Sequence, residues 1–320
     1  MDSSPLPQVI RSQQQHIKVS AMKKIRVALV GLGNVGRFTL DAINNAPDME
    51  LAGIVRRAPS KSRDLTSCGI NVVSSIKELE NVDVAILATP TPEVETHALE
   101  ILSLGINTVD SFDIHSRIPG LFATLDSCAK ANNATAVISA GWDPGSDSIV
   151  RALMEAIAPK GVTYTNFGPG MSMGHSVAVR SKEGVRDALS VTIPTGTGIH
   201  RRMVYVGLLP GADIEKVTAD IKADPYFSSD ETHVRAVESV DALKDMGHGV
   251  NLVRKGVSGN THNQLLEFDM KINNPALTGQ ILVCAARASM RQAPGCYTMI
   301  EIPVIDLLPG DRGRWRSSLV

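Results

Sequence analysis

Short apolar runs separated by stretches of helical periodicity dominate the first half of the chain. Ile25-Arg26-Val27-Ala28-Leu29-Val30 is the first such run, and residues 82–88, 107–110 and 134–139 repeat the pattern, each followed by a turn-forming segment. Between them, residues 93–104 and about 119–131 place apolar side chains three and four apart, the spacing of one helix face. Gly105 stands where the first of these helices must stop. Continuous apolar runs bounded by turns suit strands buried on both faces, and their alternation with helices predicts a doubly wound parallel sheet.

Beyond residue 150 the pattern changes. Residues 164–167, 188–194, 202–208 and 264–272 are strand-like, and several alternate between apolar and polar. Helical stretches at 148–158, 212–223 and 275–292 accompany them, so a mixed sheet with one face covered by helices is expected. Residues 297–305 read as one more strand, and 312–319 as a segment returning to the first unit. The predicted division is a first unit over 22–145, a second over 146–299, and a tail, 300–320, packed back on the first. A chain of 320 residues is long for a single core, which agrees with two domains.

Composition narrows the partners rather than the fold. Hydrophobic residues make up 43% and charged residues 20%, with a formal net charge of −1, so neither nucleic acid nor an anionic membrane is an expected partner. Cys68, Cys128, Cys284 and Cys296 are scattered, with no Cys-x-x-Cys and no histidine cluster at zinc spacing. They suit free thiols in a reducing compartment, and no metal site is expected. No apolar run approaches a membrane span, and residues 1–21, with Gln13-Gln14-Gln15, lack the apolar centre of a signal peptide. They read as a disordered extension with Met22 as an alternative start, and the expected location is cytoplasmic.

The chemistry begins where the first strand ends. Gly31-Leu32-Gly33-Asn34-Val35-Gly36 joins that strand to a helix, which is the context a dinucleotide fingerprint requires. Gly31 permits the turn, Gly33 lets backbone amides reach a pyrophosphate, and Gly36 lets the helix pack close to the strand. About twenty residues on, where an acid would hold the ribose 2′-hydroxyl of NAD, the chain has Arg56-Arg57. An arginine pair suits a 2′-phosphate, so NADP is the expected cofactor. In a parallel sheet, ligands sit beyond the carboxyl ends of the strands. The loops Ala88-Thr89-Pro90-Thr91, Ser111-Phe112-Asp113 and Ala140-Gly141-Trp142-Asp143-Pro144 are therefore expected to converge on one cofactor crevice.

Asp113 and Asp143 stand where a carboxylate can hold a substrate ammonium group or accept its proton, though either can instead cap the helix that follows. Arg201 and Arg202 can grip a carboxylate or simply face solvent. The glycine-rich segment from Gly168 to His175 can bind an anion through its amides or serve only as a turn. His248 and Asn274 fall in loops, where Asn274 is equally suited to capping a helix before Pro275, and His97 reads as structural.

Taken together, these motifs closely resemble the meso-diaminopimelate dehydrogenases. The resemblance runs from about Ile25 to the C-terminus and is carried by Gly31 to Arg37, Thr108 to Asp113, Ser139 to Gly145, Phe167 to Ser176, Gly247 to Gly249 and Asn273 to Pro275. It implies a homodimer whose Rossmann domain binds NADP and whose second, mixed α+β domain binds substrate and dimerises. The implied reaction is reversible oxidative deamination of the D-centre of meso-2,6-diaminopimelate to L-2-amino-6-oxopimelate and ammonia. By the same resemblance, Asp113 and Asp143 lie beside the reacting amino group, and Trp142, Phe167, Met173 and Gly174 surround the D-centre carboxylate. Thr192, Arg202, His248 and Asn274 recognise the distant L-end. The alternatives are another NADP-dependent oxidoreductase of amino-acid metabolism, acting on broad D-amino acids, homoserine or dihydrodipicolinate, and a non-catalytic NADP sensor.

Overall fold

A computed structural model describes residues 23–57, 69–244 and 247–320. The expectations for residues 1–21, Met22 and Cys68 lie outside the described residues. The first half folds as the apolar runs predict. Strands β1 (Ile25–Val30), β2 (Met49–Val55), β3 (Val72–Val73), β4 (Val84–Leu87), β5 (Asn107–Asp110) and β6 (Thr135–Val137) alternate with helices α1 (Asn34–Asn45), α2 (Thr91–Leu102) and α3 (Ile118–Ala131). Val27 and Leu29 face one side of β1, packing with Ile43 of α1, whereas Ala28 and Val30 face the other, with Val94 and Ala98 of α2. A strand buried on both faces needs apolar residues at every position, which is why these runs do not alternate.

The second half departs from a single mixed sheet. After α4 (Ser146–Ile157), β7 (Lys160–Phe167) and β8 (Gly170–Ser172) lead into α5 (Met173–Arg180), β9 (Val185–Gly196) and β10 (Ile199–Leu208). Then come α6 (Ile214–Lys222), β11 (Glu231–Ala236), β12 (His248–Ser258) and β13 (Thr261–Ile272). These strands form two sheets, one ordered β11-β10-β9-β8 and one ordered β13-β12-β7. Val250 and Leu252 of β12 and Met154 of α4 join the core beneath the parallel sheet, whereas the four-stranded sheet buries Val204 and Val206 against Val217 and Ile221 of α6. The short strands β8 and β11 and the polar start of β12 carried too little alternation to be read from sequence.

The expected boundary at residue 299 falls too late. Helix α7 (Asn274–Ser289), placed by its sequence with the second unit, lies on the parallel sheet beside α1. Gly279 is the close-contact point, since a Cβ there would stand 2.7 Å from the Thr39 amide nitrogen of α1. Strand β14 (Gly295–Tyr297) then completes the sheet as its edge, in the order β14-β6-β5-β4-β1-β2-β3, every neighbouring pair parallel. The strand expected over 297–305 stops at Tyr297 and gives way to two 3-10 turns, Met299–Glu301 and Val304–Leu307. Thr298 and Pro303 precede them, and Glu301 accepts hydrogen bonds from the Thr298 amide and hydroxyl, a local pattern that competes with strand. The closing helix α8 (Arg312–Leu319) is tied back through Arg312, which donates at 2.8 Å to buried Asp306. Among the described residues, no helix is long and apolar enough to cross a membrane.

Buried Arg287 of α7 anchors this return. It donates to Asp48, just before β2, from Nε at 2.5 Å and from Nη2 at 2.8 Å. Burial alone would raise the Asp48 carboxyl, but the hydrogen bonds and charge of Arg287 prevail and hold it below its ordinary value. Asp48→Ala leaves a buried guanidinium unpaired and is expected to cost about 3–5 kcal/mol in chemical denaturation at neutral pH. A carboxyl lowered in the folded state stabilises above its unfolded pKa of about 4 and loses that contribution as pH falls through the folded value. The gap between the two proteins should therefore close on acidification; a cost below about 1 kcal/mol at neutral pH would contradict the anchor.

Candidate active site

The carboxyl ends of β1, β2 and β4 surround a cavity of about 460 Å³. Gly31, Leu32 and Gly33 line one side and Arg56 and Arg57 another. Gly31 has φ +92°, and a Cβ on it would meet the Ala88 carbonyl oxygen at 2.5 Å. A Cβ on Gly36 would meet the Gly31 carbonyl oxygen at 2.6 Å, so both glycines are demanded by the packing of the turn itself. Gly33 differs, because nothing lies within 4 Å of the Cβ it lacks. Open space over bare backbone at a helix N-terminus is what an approaching pyrophosphate requires, so the residues present fit a dinucleotide. Asn34 opens α1 with Val35 behind it. Sequence reasoning missed Ser74, Glu93 and His97, which also line this cavity. Glu93 stands 3.5 Å from Arg57 and 3.8 Å from His97, so His97 lies at the edge of this cavity rather than in the core.

Thr89 and Pro90 line this cavity and also a larger cleft of about 780 Å³ between the parallel sheet and the second unit. Thr91, Ser111, Asp113, Gly141, Trp142 and Asp143 bring the three strand-end loops to it. The side chains of Phe112 and Ala140 are buried in the core, and neither residue lines the cleft. Asp113 is exposed and accepts a 2.8 Å hydrogen bond from the Thr91 hydroxyl, which aims it without burying it. Asp143 sits on a loop closed on itself: the Gly141 amide donates to the Pro144 carbonyl at 3.0 Å and the Ser146 amide to the Gly141 carbonyl at 3.1 Å. A Cβ on Gly145 would stand 1.8 Å from the Gly141 carbonyl oxygen, so only glycine closes that loop. Arg151, one turn into α4, reaches back to Asp143 at 3.2 Å.

The opposite wall comes from the second unit. Phe167 ends β7, Met173 and Gly174 open α5, and Thr192 and Arg202 lie directly opposite each other on β9 and β10. Arg202 donates to the Thr192 hydroxyl and, at 2.6 Å, to Asp230. Asp230, together with the cleft residue Tyr226, was not singled out from sequence; both precede β11, which itself carried no legible pattern. His248 opens β12 rather than occupying a flexible loop, and its ring packs edge-on against Trp142 at 5.2 Å. Asn274 is the first residue of α7, but Asn273 supplies the cap, accepting from the Ala276 amide at 3.3 Å. Asn274 is thus left to line the cleft, with its Oδ1 within 3.4 Å of the Thr278 hydroxyl.

Three histidines surround this wall. Burial first, and the charge of Arg202 second, push His175 down to about 4 and lower His200 as well. Burial also lowers His248, against the opposing effect of its hydrogen bond to the Gly170 backbone. All three are therefore neutral at physiological pH and serve as dipoles and packing surfaces. Arg202 is left as the permanent cation among them, and a ligand carboxylate entering there meets a guanidinium already oriented by Asp230 and Thr192.

Comparison with known proteins matches both halves of this fold. A family model described as the diaminopimelic acid dehydrogenase C-terminal domain matches residues 141–201, and one described as an oxidoreductase family with an NAD-binding Rossmann fold matches residues 25–109. The meso-diaminopimelate D-dehydrogenase of Bacteroides fragilis is 66% identical over 299 residues, covering 93% of this chain and 100% of that protein. A C. glutamicum DAP dehydrogenase in complex with DAP superposes with a TM-score of 0.84 at 29% identity, covering 93% of this chain and all of that one. An engineered D-amino acid dehydrogenase bound to NADP+ has a TM-score of 0.79 at 28% identity with the same coverage.

The glycines separate folding from binding. Gly31→Ala is expected to lower the melting temperature by several degrees, because its Cβ collides with backbone. Gly33→Ala should leave stability nearly unchanged and weaken cofactor binding at least about tenfold in calorimetric titration. Equal losses of stability from both would contradict the distinct roles.

Proposed function

The chain belongs to the meso-diaminopimelate D-dehydrogenase family, and on that premise we propose that it oxidatively deaminates the D-centre of meso-2,6-diaminopimelate with NADP. The observation that supports the reading is that opposite charges line one cleft from its two walls. Asp113 and Asp143 lie by the strand-end loops, and Arg202 lies on the far wall. A substrate with an amino-acid group at each end needs such a division, whereas a carbonyl or ring-imine substrate needs no grip at its far end.

Gly31, Gly33 and the amides opening α1 would hold the cofactor's diphosphate. The strand-end loops around Thr89, Ser111 and Trp142 would face its nicotinamide. When bound, the cofactor supplies a hydride acceptor at the D-centre carbon, giving an imine that water converts to L-2-amino-6-oxopimelate and ammonia. The chain's own part is to bind and orient. Trp142 and Phe167, whose rings meet edge-on at 6.0 Å, wall the reacting end, and the amides at Met173 and Gly174 can receive its carboxylate at the start of α5. Arg202 takes the distant carboxylate, with Thr192, His248 and Asn274 around the distant ammonium and carboxylate. Holding the L-end fixes which stereocentre faces the cofactor, so selectivity follows from orientation. Asp113 and Asp143 balance the reacting ammonium.

NADP rather than NAD rests on the arginine pair at the end of β2, beside Ser74. A homodimer belongs to the same reading: Val162 and Leu265 flank Lys255 in register on the three-stranded sheet, and both are more than half exposed. Apolar side chains aligned on an open sheet face suit a second copy of the chain. A cytoplasmic site of action completes it, in keeping with Cys128, Cys284 and Cys296 as free thiols.

NADP reduction with the three stereoisomers supplied separately at alkaline pH tests the reaction. The meso isomer should turn over at least about a hundredfold faster than the L,L isomer, which lacks a D-centre. Comparable rates, or none with cofactor bound, would refute it. For the coenzyme, replacing Arg56 and Arg57 together with alanine should raise KM for NADP by about a hundredfold and leave that for NAD within about threefold. Equal losses would remove the arginine pair from recognition.

A further inference from the structure

Asp147 takes no part in the reaction described above and does not line the cleft. It lies one turn behind Asp143, near the start of α4, and its side chain is wholly buried. Arg151, one turn further along the helix, donates from a single nitrogen, Nη2, to Asp147 at 2.6 Å and to Asp143 at 3.2 Å. Two carboxylates held on one nitrogen are necessarily neighbours. One cation therefore stands between two acids, of which Asp147 is wholly buried and Asp143 opens on the cleft. The second oxygen of Asp147, Oδ1, is buried with no hydrogen-bond partner among the described residues. An ionised Asp147 would leave that oxygen charged and unsolvated, whereas a proton placed there can be given to Asp143.

We propose that Asp147 and Asp143 hold one proton between them, and that Asp147 is the positioning residue which lets Asp143 accept the proton of the reacting ammonium. This rests on the reading that the reacting amine sits at Asp143. Burial, and next the charge of Asp143, raise the Asp147 carboxyl far above the usual carboxylate range, more than the charge of Arg151 lowers it. A lone aspartate with an ordinary pKa near 4 is a poor acceptor for an ammonium proton. At alkaline pH, where the shared proton has been lost, the doubly ionised pair is a far better one, because taking up a single proton relieves the repulsion between its members.

The step balances without another reactant. The N–H bond of the substrate ammonium breaks, the proton passes to Asp143 and is shared with Asp147, and the electron pair stays on nitrogen. That pair forms the C=N bond as hydride departs, and the shared proton is released to water before the next turnover. In the ammonia-fixing direction the protonated pair returns it. The charged and titratable groups facing the pair are Arg151 from α4 and His248 from β12, whose own ionisation responds to Asp143. Glu301, on the 3-10 turn packed against α4, is turned to Thr298, and Asp113 across the cleft is held by Thr91.

Asp147→Asn keeps the shape and a hydrogen-bond donor but cannot titrate. It should lower kcat roughly tenfold to a hundredfold at alkaline pH with KM within about threefold, and move the acid limb of the kcat profile down by about one pH unit or more. An unmoved limb would overturn the proposal, even with kcat reduced, because a purely structural residue would slow the enzyme without changing its titration. Infrared difference spectra of the holoenzyme without substrate supply a second reading. The unaltered protein should show a protonated-carboxyl band at about pH 7.5 that Asp147→Asn abolishes; buried Asp110, raised to about 6, is mostly ionised there. No such band in the unaltered protein would overturn the proposal even if the variant failed to fold. The infrared reading needs no substrate, so an error in the assigned reaction would show instead as absent turnover by the unaltered enzyme.

Discussion

Helix α7 is the member on which the site's dimensions depend. Its first residue, Asn274, lines the substrate cleft, and Arg287, near its far end, is pinned to Asp48 beside β2. In between, Gly279 lets the helix lie against α1, whose N-terminus forms the nucleotide turn. A helix of 16 residues is a rod of about 24 Å. Because that rod is fixed to the parallel sheet, the cleft wall it carries is held in register with the cofactor turn. The three-stranded sheet joins the same core through Val250 and Leu252, which places His248 and Phe167 against Trp142. The four-stranded sheet, with cores of its own, carries Arg202 on the opposite wall.

Charge is distributed over this frame with little redundancy. Each functional ion has a partner that orients it: Thr91 for Asp113, Arg151 for Asp143, Asp230 and Thr192 for Arg202. The histidines nearby are kept neutral by burial and by the guanidinium, so they add shape and dipoles without adding charge. Pre-oriented ions lose little freedom when a ligand arrives, which favours discrimination between the two ends of a molecule that differ only in handedness. The pairing of Asp143 with Asp147 extends the same logic from orientation to proton affinity.

Much of this was legible in the sequence, and the limits have physical causes. The parallel strands were readable because burial on both faces forces unbroken apolar runs. The nucleotide turn was readable because Gly31 and Gly36 have no room for a side chain. Arg202, His248 and Asn274 were singled out from the sequence and Thr192 through a resemblance, and the structure brings them to one cleft although they lie on four different elements. What stayed hidden was long-range. The small-residue face of α7 does not say which sheet it will cover, and Asn273 and Asn274 are equivalent caps until the helix start is known. Asp147 and Asp230 look like ordinary surface acids, and only folding reveals that one is buried against Asp143 and the other is bound to Arg202.

The central claim is that the cleft presents one stereocentre of a two-ended amino acid to the cofactor. Deuterium placed only on the D-centre carbon of meso-diaminopimelate tests it most directly, read by mass spectrometry of both the reduced cofactor and the product. The account predicts that the label moves to the nicotinamide ring and is missing from the 6-oxo product. Label retained in the product, with cofactor reduced, would mean that the other centre reacts and that the two ends of the cleft have been assigned the wrong way round.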